Sequence, residues 1–316
     1  MYSMPVSAKL LIYCFSRPLQ PLHEQPDDEE SIETFLHTFG PSARDCYAYC
    51  TKMDAYRKIV AGKISTMSWK TVTDLLTKRS QAVSLDEGSH RVILINPDPE
   101  TRSDFIPTIV AKPVGAMLLE QDSQFRWRNS HHLYQSLRQD PKTRSSSGWV
   151  MEAAFHALCT TGVNFKLHPM SIRPGGRTND LYTNSMPSTP LDLTLPVQEL
   201  VVFEGTHLPG TLEAGHYYRP VFATQPSYDS FVYQPAGNYV YPMQVTNGKA
   251  HDIKPKGINV LLQHFQELGL PTPTIRFIVV IPAGDEVTCT VPKMTNFSVE
   301  MFCLEVEERQ LFVDSN

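Results

Sequence analysis

The segment Pro226 to Gly257, PSYDSFVYQPAGNYVYPMQVTNGKAHDIKPKG, decides how the chain is read. Tyr228 to Tyr233 and Tyr239 to Thr246 are short runs rich in aromatic and β-branched residues, the composition of strands. Pro235 to Asn238 lies between them and is short enough to close a hairpin. With that four-residue connection Tyr239 pairs with Gln234. Counting back along both strands then puts Asp229 opposite Gln244, with both side chains on one face. A slip of one residue would part them, because successive strand positions face opposite sides. Gln244 and Thr246 are two apart and share a face.

The flanking sequence supplies the rest of a mixed sheet. Upstream, a helix over about 147–160 ends at Gly162 and a strand over 163–168 follows. Residues 171–197 hold Pro174, Gly175, Gly176, Pro187, Pro190 and Pro196 among Ser, Thr and Asn, which predicts a long surface insertion or a mobile loop. Strands are expected over 198–203 and 217–223, a helix over 257–268, an apolar strand over 276–281, and closing strands over 286–291 and 298–306. Without the insertion the order is helix, strand, strand pair, helix, strand. This is the αβββαβ succession of a small mixed sheet flanked by helices, so the fold class is α+β (mixed α/β) with extra C-terminal strands.

The N-terminal half reads differently. Residues 1–30 carry Pro5, Pro18, Pro21 and Pro26 and then acidic Asp27 to Glu30, which predicts an irregular arm feeding a helix. Residues 31–90 form a helical segment: Ile32 to Phe39, a break at Gly40-Pro41, Arg44 to about Val60, and Trp69 to Arg79. Residues 91–145 form a connector with strands over 91–96 and 108–112 and helices over 114–121 and 124–139. The last domain is expected to span 146–316. No GxxxxGK[ST] phosphate loop occurs.

Composition narrows the function. The 316 residues include 28 Lys+Arg and 33 Asp+Glu, with 41% hydrophobic and 10% aromatic residues, as in an ordinary globular protein of one or two domains. No apolar run reaches the ~20 residues of a membrane span. Leu10 to Phe15 is too short for a secretory signal core, so an intracellular, reducing location is expected. The 6 cysteines form no CxxC pair and read as buried or free thiols. Residues 1–147 carry 18 basic and 17 acidic residues, and residues 148–316 carry 10 and 16. Contact with nucleic acid therefore needs a local patch.

One such patch follows the hairpin. Asn247 to Lys256 contains Lys249, Lys254 and Lys256 with His251. Asp229 and Gln244 could hold a hard cation, Mg²⁺ or Mn²⁺, through oxygen, with Glu152 on the preceding helix as a third ligand. Lys249 and Lys254 could neutralise charge on a phosphoryl group, and His251 could orient or deprotonate water. Plainer readings stand beside these. Asp229 after Pro226-Ser227 suits a turn cap, Gln244 a buried amide bonded to a neighbouring strand, and Glu152 an ion-pair partner. His251 with Asp252 suits a helix cap, and the lysines a solvated loop.

The runs Ser146 to Met170, SSGWVMEAAFHALCTTGVNFKLHPM, and Pro226 to Gly257 resemble the C-terminal domain of fungal and oomycete Crinkler-type proteins, relatives of the retrotransposon hot spot proteins of kinetoplastids. The resemblance covers roughly residues 130–310. It implies a divergent PD-(D/E)xK restriction-endonuclease-like domain, in which Glu152 is the helix acid, Asp229 the strand acid and Gln244 the first member of the (D/E/Q)xK pair. Thr246 stands where the lysine is expected, and Lys249 or Lys254 would have to reach in from the next segment. Gly40, Pro41, Ser42, Ala43 and Arg44 resemble the GPSPR-like turn in the helical lid of the nucleoside-triphosphatase domain that precedes the nuclease-like one in that family. This implies a remnant lid with Arg44 in a phosphate-sensing position and no working ATPase. The expected partner is nucleic acid, DNA first, and no membrane. The alternative is an inactive nuclease-fold module, binding DNA or a protein partner, in an effector acting in a nucleus.

Overall fold

The computed structural model describes residues 29–77, 89–98, 101, 105–120, 126–139, 141, 143–173, 178–184, 189–203, 208–220, 227–293 and 298–312. The expected N-terminal arm lies outside the described residues except at its last two positions, and Cys14 and Pro226 lie outside them too. The chain divides into two compact units, Met1–Arg126 and Trp127–Asn316, so the segment expected as a connector is shared between them.

In the first unit the helices are α1 (Glu29–Phe39), α2 (Ala43–Tyr49), α3 (Met53–Thr66), α4 (Trp69–Thr77) and α5 (Lys112–Glu120). Strands β1 (Ile93–Pro97) and β2 (Phe105–Ile109) pair antiparallel. Glu29 and Glu30 fall in the first turn of α1, where acidic side chains complement the helix dipole. Phe35, Phe39 and Tyr56 pack ring against ring at 4.9 to 5.2 Å and anchor the core. The break at Gly40 is required: its φ is +87°, and a Cβ there would lie 2.4 Å from Val110 Cγ2 and 2.8 Å from the Val110 carbonyl. The expected helix over 44–60 is two helices. The chain turns at Cys50 to Lys52, where Lys52 N–H donates to the Tyr49 carbonyl at 2.8 Å, with no Gly or Pro to announce it. Buried Asp45 accepts hydrogen bonds from Ser42 Oγ at 2.9 Å and Tyr56 Oη at 2.8 Å, while Arg44 beside it is exposed.

The second unit holds α6 (Arg126–Arg138) from Trp127 on, α7 (Arg144–Thr160), α8 (Pro255–Glu267) and α9 (Glu308–Leu311). The strands are β3 (Thr161–Pro169), β4 (Ser171–Arg173), β5 (Asn179–Thr183), β6 (Leu191–Val197), β7 (Glu199–Phe203), β8 (His216–Pro220), β9 (Ser230–Gln234), β10 (Tyr239–Val245), β11 (Ala250–Asp252), β12 (Thr274–Pro282), β13 (Thr288–Pro292) and β14 (Val299–Val306). Among the described residues they form an eight-stranded sheet, β6-β3-β14-β12-β10-β9-β8-β7, and a four-stranded one, β11-β13-β5-β4. Helices and strands in mixed sheets make this an α+β fold, as expected.

The centre of the large sheet is built from neighbours in sequence. β9 and β10 are antiparallel, α8 carries the chain across, and β12 returns parallel to β10. β14 adds itself parallel to β12. A parallel strand covered on both faces reads as a continuous apolar run, and Phe277 to Ile281 are all buried. Five free cysteines, Cys46, Cys50, Cys159, Cys289 and Cys303, are buried, and burial pushes the Cys289 and Cys303 thiols up to about 12.

The expected insertion over 171–197 is corrected by the structure: it contains β4, β5 and β6. Leu191, Leu193 and Leu195 alternate with polar residues, the period of a strand, and β6 sits at the sheet edge, where Pro196 breaks no ladder bond on its outer side. Residues 174–177 and 185–188 of that stretch lie outside the described residues. No helix among the described residues is long and apolar enough to cross a membrane.

The C-terminal end is tied to α6 through Glu308. Its Oε2 accepts from His131 at 2.8 Å and Gln135 at 3.1 Å, and its Oε1 from Arg138 at 3.1 Å. Burial works against the charged form, but the hydrogen bonds from His131 and Gln135 and the nearby positive charges outweigh it and hold the carboxyl below its ordinary 4.5. A lowered folded-state pKa gives stability that is complete above the unfolded value and is lost as pH falls through the folded one. Glu308→Gln is therefore expected to flatten the fall of the urea midpoint below about pH 4.5. The same acid slope in variant and wild type would contradict the assignment.

Candidate functional site

The hairpin has the register expected from its turn. Tyr239 pairs with Gln234, and the ladder continues to Met243 opposite Ser230. A 3-10 turn at Pro235–Gly237 and Asn238 at φ +50° close the loop, and the Asn238 amide donates to the Thr272 carbonyl at 2.9 Å. Asn tolerates this left-handed conformation better than most residues.

At the far end the ladder stops in a particular way. Asp229 N–H donates to the Met243 carbonyl at 2.8 Å, and then Ser227, at φ +83°, turns the chain away. The Asp229 carboxylate takes over as acceptor for β10: its Oδ2 receives Val245 N–H at 2.8 Å and Gln244 Nε2–H at 2.5 Å. Asp229 and Gln244 are thus side by side at the sheet end, Asp229 buried and Gln244 half-buried.

Glu152 reaches the same region from α7. It is 7% exposed, and His156, one turn on and 6% exposed, faces its Oε1 through Nε2 at 3.2 Å. His156 Nδ1 lies 2.7 Å from Tyr217 Oη on β8, and Tyr217 donates to Ser230 Oγ at 2.6 Å. Cys159 is buried as well, and burial, with Cys159 nearby, holds the Tyr217 phenol well above its ordinary range. A buried polar chain therefore runs from Glu152 to the residue next to Asp229. Sequence reading missed His156, Tyr217 and Ser230. The available signal was the Glu152/His156 pair at i, i+4 in a helix whose other buried residues are mostly apolar.

The segment after β10 spreads its residues. Thr246 Oγ1 accepts Gly248 N–H at 3.0 Å, which employs its hydroxyl within the turn that follows β10. Lys249 is exposed. His251 lies on β11, in the four-stranded sheet, in register with Cys289, a strand the sequence did not announce. Burial lowers the His251 pKa from 6.5, Asp252 opposes the shift and Lys254 adds to it. Lys254 has an exposed side chain, but its backbone is tethered near the pair: Ser227 Oγ accepts Lys254 N–H at 2.8 Å and donates to the Lys254 carbonyl.

In kind, two carboxylates and an amide fit a hard cation that prefers oxygen. In arrangement, Gln244 points an N–H at Asp229, so its Oε1 serves a cation only after the amide turns over. Among the described residues no group of three or more His, Cys, Asp or Glu is placed to hold a metal ion. Compared with protein-family models, curated proteins and solved structures, the chain matches none of them.

Proposed function

We propose that the second unit is a divergent metal-dependent DNA endonuclease-like domain of the PD-(D/E)xK, Crinkler-related type, hydrolysing phosphodiester bonds. The observation that carries the reading is the register that sets Asp229 beside Gln244 at one end of a mixed sheet. The order α7, hairpin β9–β10, α8 and β12 supports it, whereas β3, expected as the first strand of the core, lies instead between β6 and β14, and the strand beside β9 is β8.

Asp229, Gln244 and Glu152 would hold Mg²⁺ or Mn²⁺, which supplies Lewis-acid neutralisation of phosphate charge. The chain's own groups do the rest. Lys249 and Lys254, both exposed, offer cations to phosphate oxygens. The lowered pKa of His251 keeps its imidazole neutral near pH 7, able to take a proton from water.

A second reading, an inactive nuclease-fold module that binds DNA or a protein, is favoured by a specific observation. Asp229 Oδ2 is already occupied by two N–H donors and Thr246 by a third, as in a purely structural strand cap. Incubating the full chain with supercoiled plasmid separates the two: nicking with Mg²⁺ or Mn²⁺ that EDTA abolishes supports the first, and intact plasmid in both metals decides for the second. Binding to DNA is expected to depend on salt through the lysines. Lys249→Ala with Lys254→Ala should flatten the slope of log K against log salt by about 1.8, at about 0.9 for each phosphate left without its lysine. An unchanged slope would remove both lysines from the interface.

A further inference from the structure

The eight-stranded sheet ends in two strands of opposite character. β6 closes one side with Asp192, ion-paired to Lys166 at 2.5 Å, and with Pro196, which has no N–H to offer. A charged pair and a proline are ordinary guards of an open strand. β7 closes the other side as Glu199-Leu200-Val201-Val202-Phe203, with neither lysine nor proline among its 5 residues. Leu200 is 42% exposed and Val202 46%, both on one face of the strand, while Val201 and Phe203 turn to the core on the other.

The backbone of β7 shows which groups stay open. Glu199 N–H donates to the Gly215 carbonyl at 2.8 Å, and β7 runs parallel to β8 with Leu200 in register with Tyr217. Successive strand positions alternate, so Glu199, Val201 and Phe203 direct their N–H and C=O at β8. Leu200 and Val202 direct theirs away from it, to a side on which no further strand lies among the described residues. The two residues with exposed apolar side chains are thus the two with outward backbone groups.

We propose that β7 is a dimerisation edge, on which β7 of a second copy of this chain docks antiparallel about a two-fold axis through Val201. In that register the strand is complementary to itself, as a two-fold contact requires. Leu200 stands opposite the partner's Val202, and Val202 opposite the partner's Leu200. Each of these pairs exchanges both of its N–H···O=C bonds, because these residues carry the outward groups. The same pairing covers both exposed apolar side chains on one face. Glu199 falls opposite the partner's Phe203, so no like charges meet. A contact of this length is at the small end for specific interfaces, and the dimer should be reversible. The inference is independent of the metal reading.

Sedimentation equilibrium of the full chain over a series of concentrations tests it. The weight-average mass should rise from that of one chain and level off at two, because the pairing uses up the edge on which it is built. Leu200→Lys with Val202→Lys sets lysine opposite lysine twice and should weaken association by about 100-fold or more. Leu200→Glu with Val202→Lys sets glutamate opposite lysine in the same register and should restore the dimer. The altered side chains are exposed, and a urea midpoint on each variant checks that the fold is kept. A wild-type chain that stays monomeric would overturn the proposal and leave the edge to an extended segment of another protein. A dimer that survives both lysines would overturn it as well, and so would a Glu/Lys variant no more associated than the Lys/Lys one.

Discussion

Replacing Asp229 by alanine is expected to lower the free energy of unfolding by about 1–3 kcal/mol and to remove metal-dependent nicking altogether. The stability loss follows from hydrogen bonding alone. Asp229 Oδ2 is the acceptor for the buried Val245 N–H and for Gln244 Nε2–H. Truncation leaves the backbone donor unsatisfied in the interior, at about 1–3 kcal/mol, while the half-buried Gln244 amide finds water. Asp229→Asn separates structure from chemistry. It retains one acceptor oxygen and should lose roughly half as much stability on the same hydrogen-bond scale, but it cannot replace a carboxylate at a cation and should nick no faster than background. Urea unfolding and plasmid nicking on the two variants check this. Full nicking by Asp229→Asn at wild-type rate would leave Asp229 as a strand cap and nothing more.

The second large effect lies at His156. Both ring nitrogens are engaged inside the unit, Nδ1 with Tyr217 at 2.7 Å and Nε2 with Glu152 at 3.2 Å. His156→Ala removes one hydrogen-bonding partner each from a buried carboxylate and a buried phenol and leaves a cavity. Losing a buried side chain of this size with its contacts costs about 2–5 kcal/mol. Tyr217→Phe deletes one hydroxyl, keeps the ring and should cost about 1–2 kcal/mol. The two changes share the His156–Tyr217 bond, so the double variant should lose less than the sum of the singles, by 0.5 kcal/mol or more on the usual scale of about 0.5–3 kcal/mol for touching residues. Additive losses would mean that the chain from Glu152 to Ser230 does not act as a unit.

Much of this was legible in the residues. The loop Pro235 to Asn238 fixed the register, because a four-residue connection pairs Tyr239 with Gln234. The helix, strand and helix order around the hairpin followed from period and from Gly162. Other parts were hidden for physical reasons. In 171–197 the count of Pro and Gly concealed the Leu191/Leu193/Leu195 alternation, since Pro196 falls near the end of a strand on the sheet edge, where it has no register partner. β11 is three residues long and exists only because β13 pairs with it, a partner nearly forty residues away in the chain. The Glu152–His156–Tyr217–Ser230 chain joins two elements sixty-one residues apart where His156 meets Tyr217, beyond the reach of any local pattern. The break at Cys50 to Lys52 carries no turn residue, so helical period alone ran through it.

In the metal reading, Gln244 and Asp229 face a divalent cation. The most direct measurement is the thermal midpoint of Gln244→Glu with and without Mn²⁺. Two carboxylates at this spacing repel each other, so the metal-free variant should melt below wild type. If the pair binds a cation, Mn²⁺ should raise the variant's midpoint more than that of wild type, because a second carboxylate is a stronger ligand and binding stabilises as RT ln(1 + [L]/Kd). A variant whose midpoint stays low at every Mn²⁺ concentration would show that the two side chains cap a strand and hold no metal.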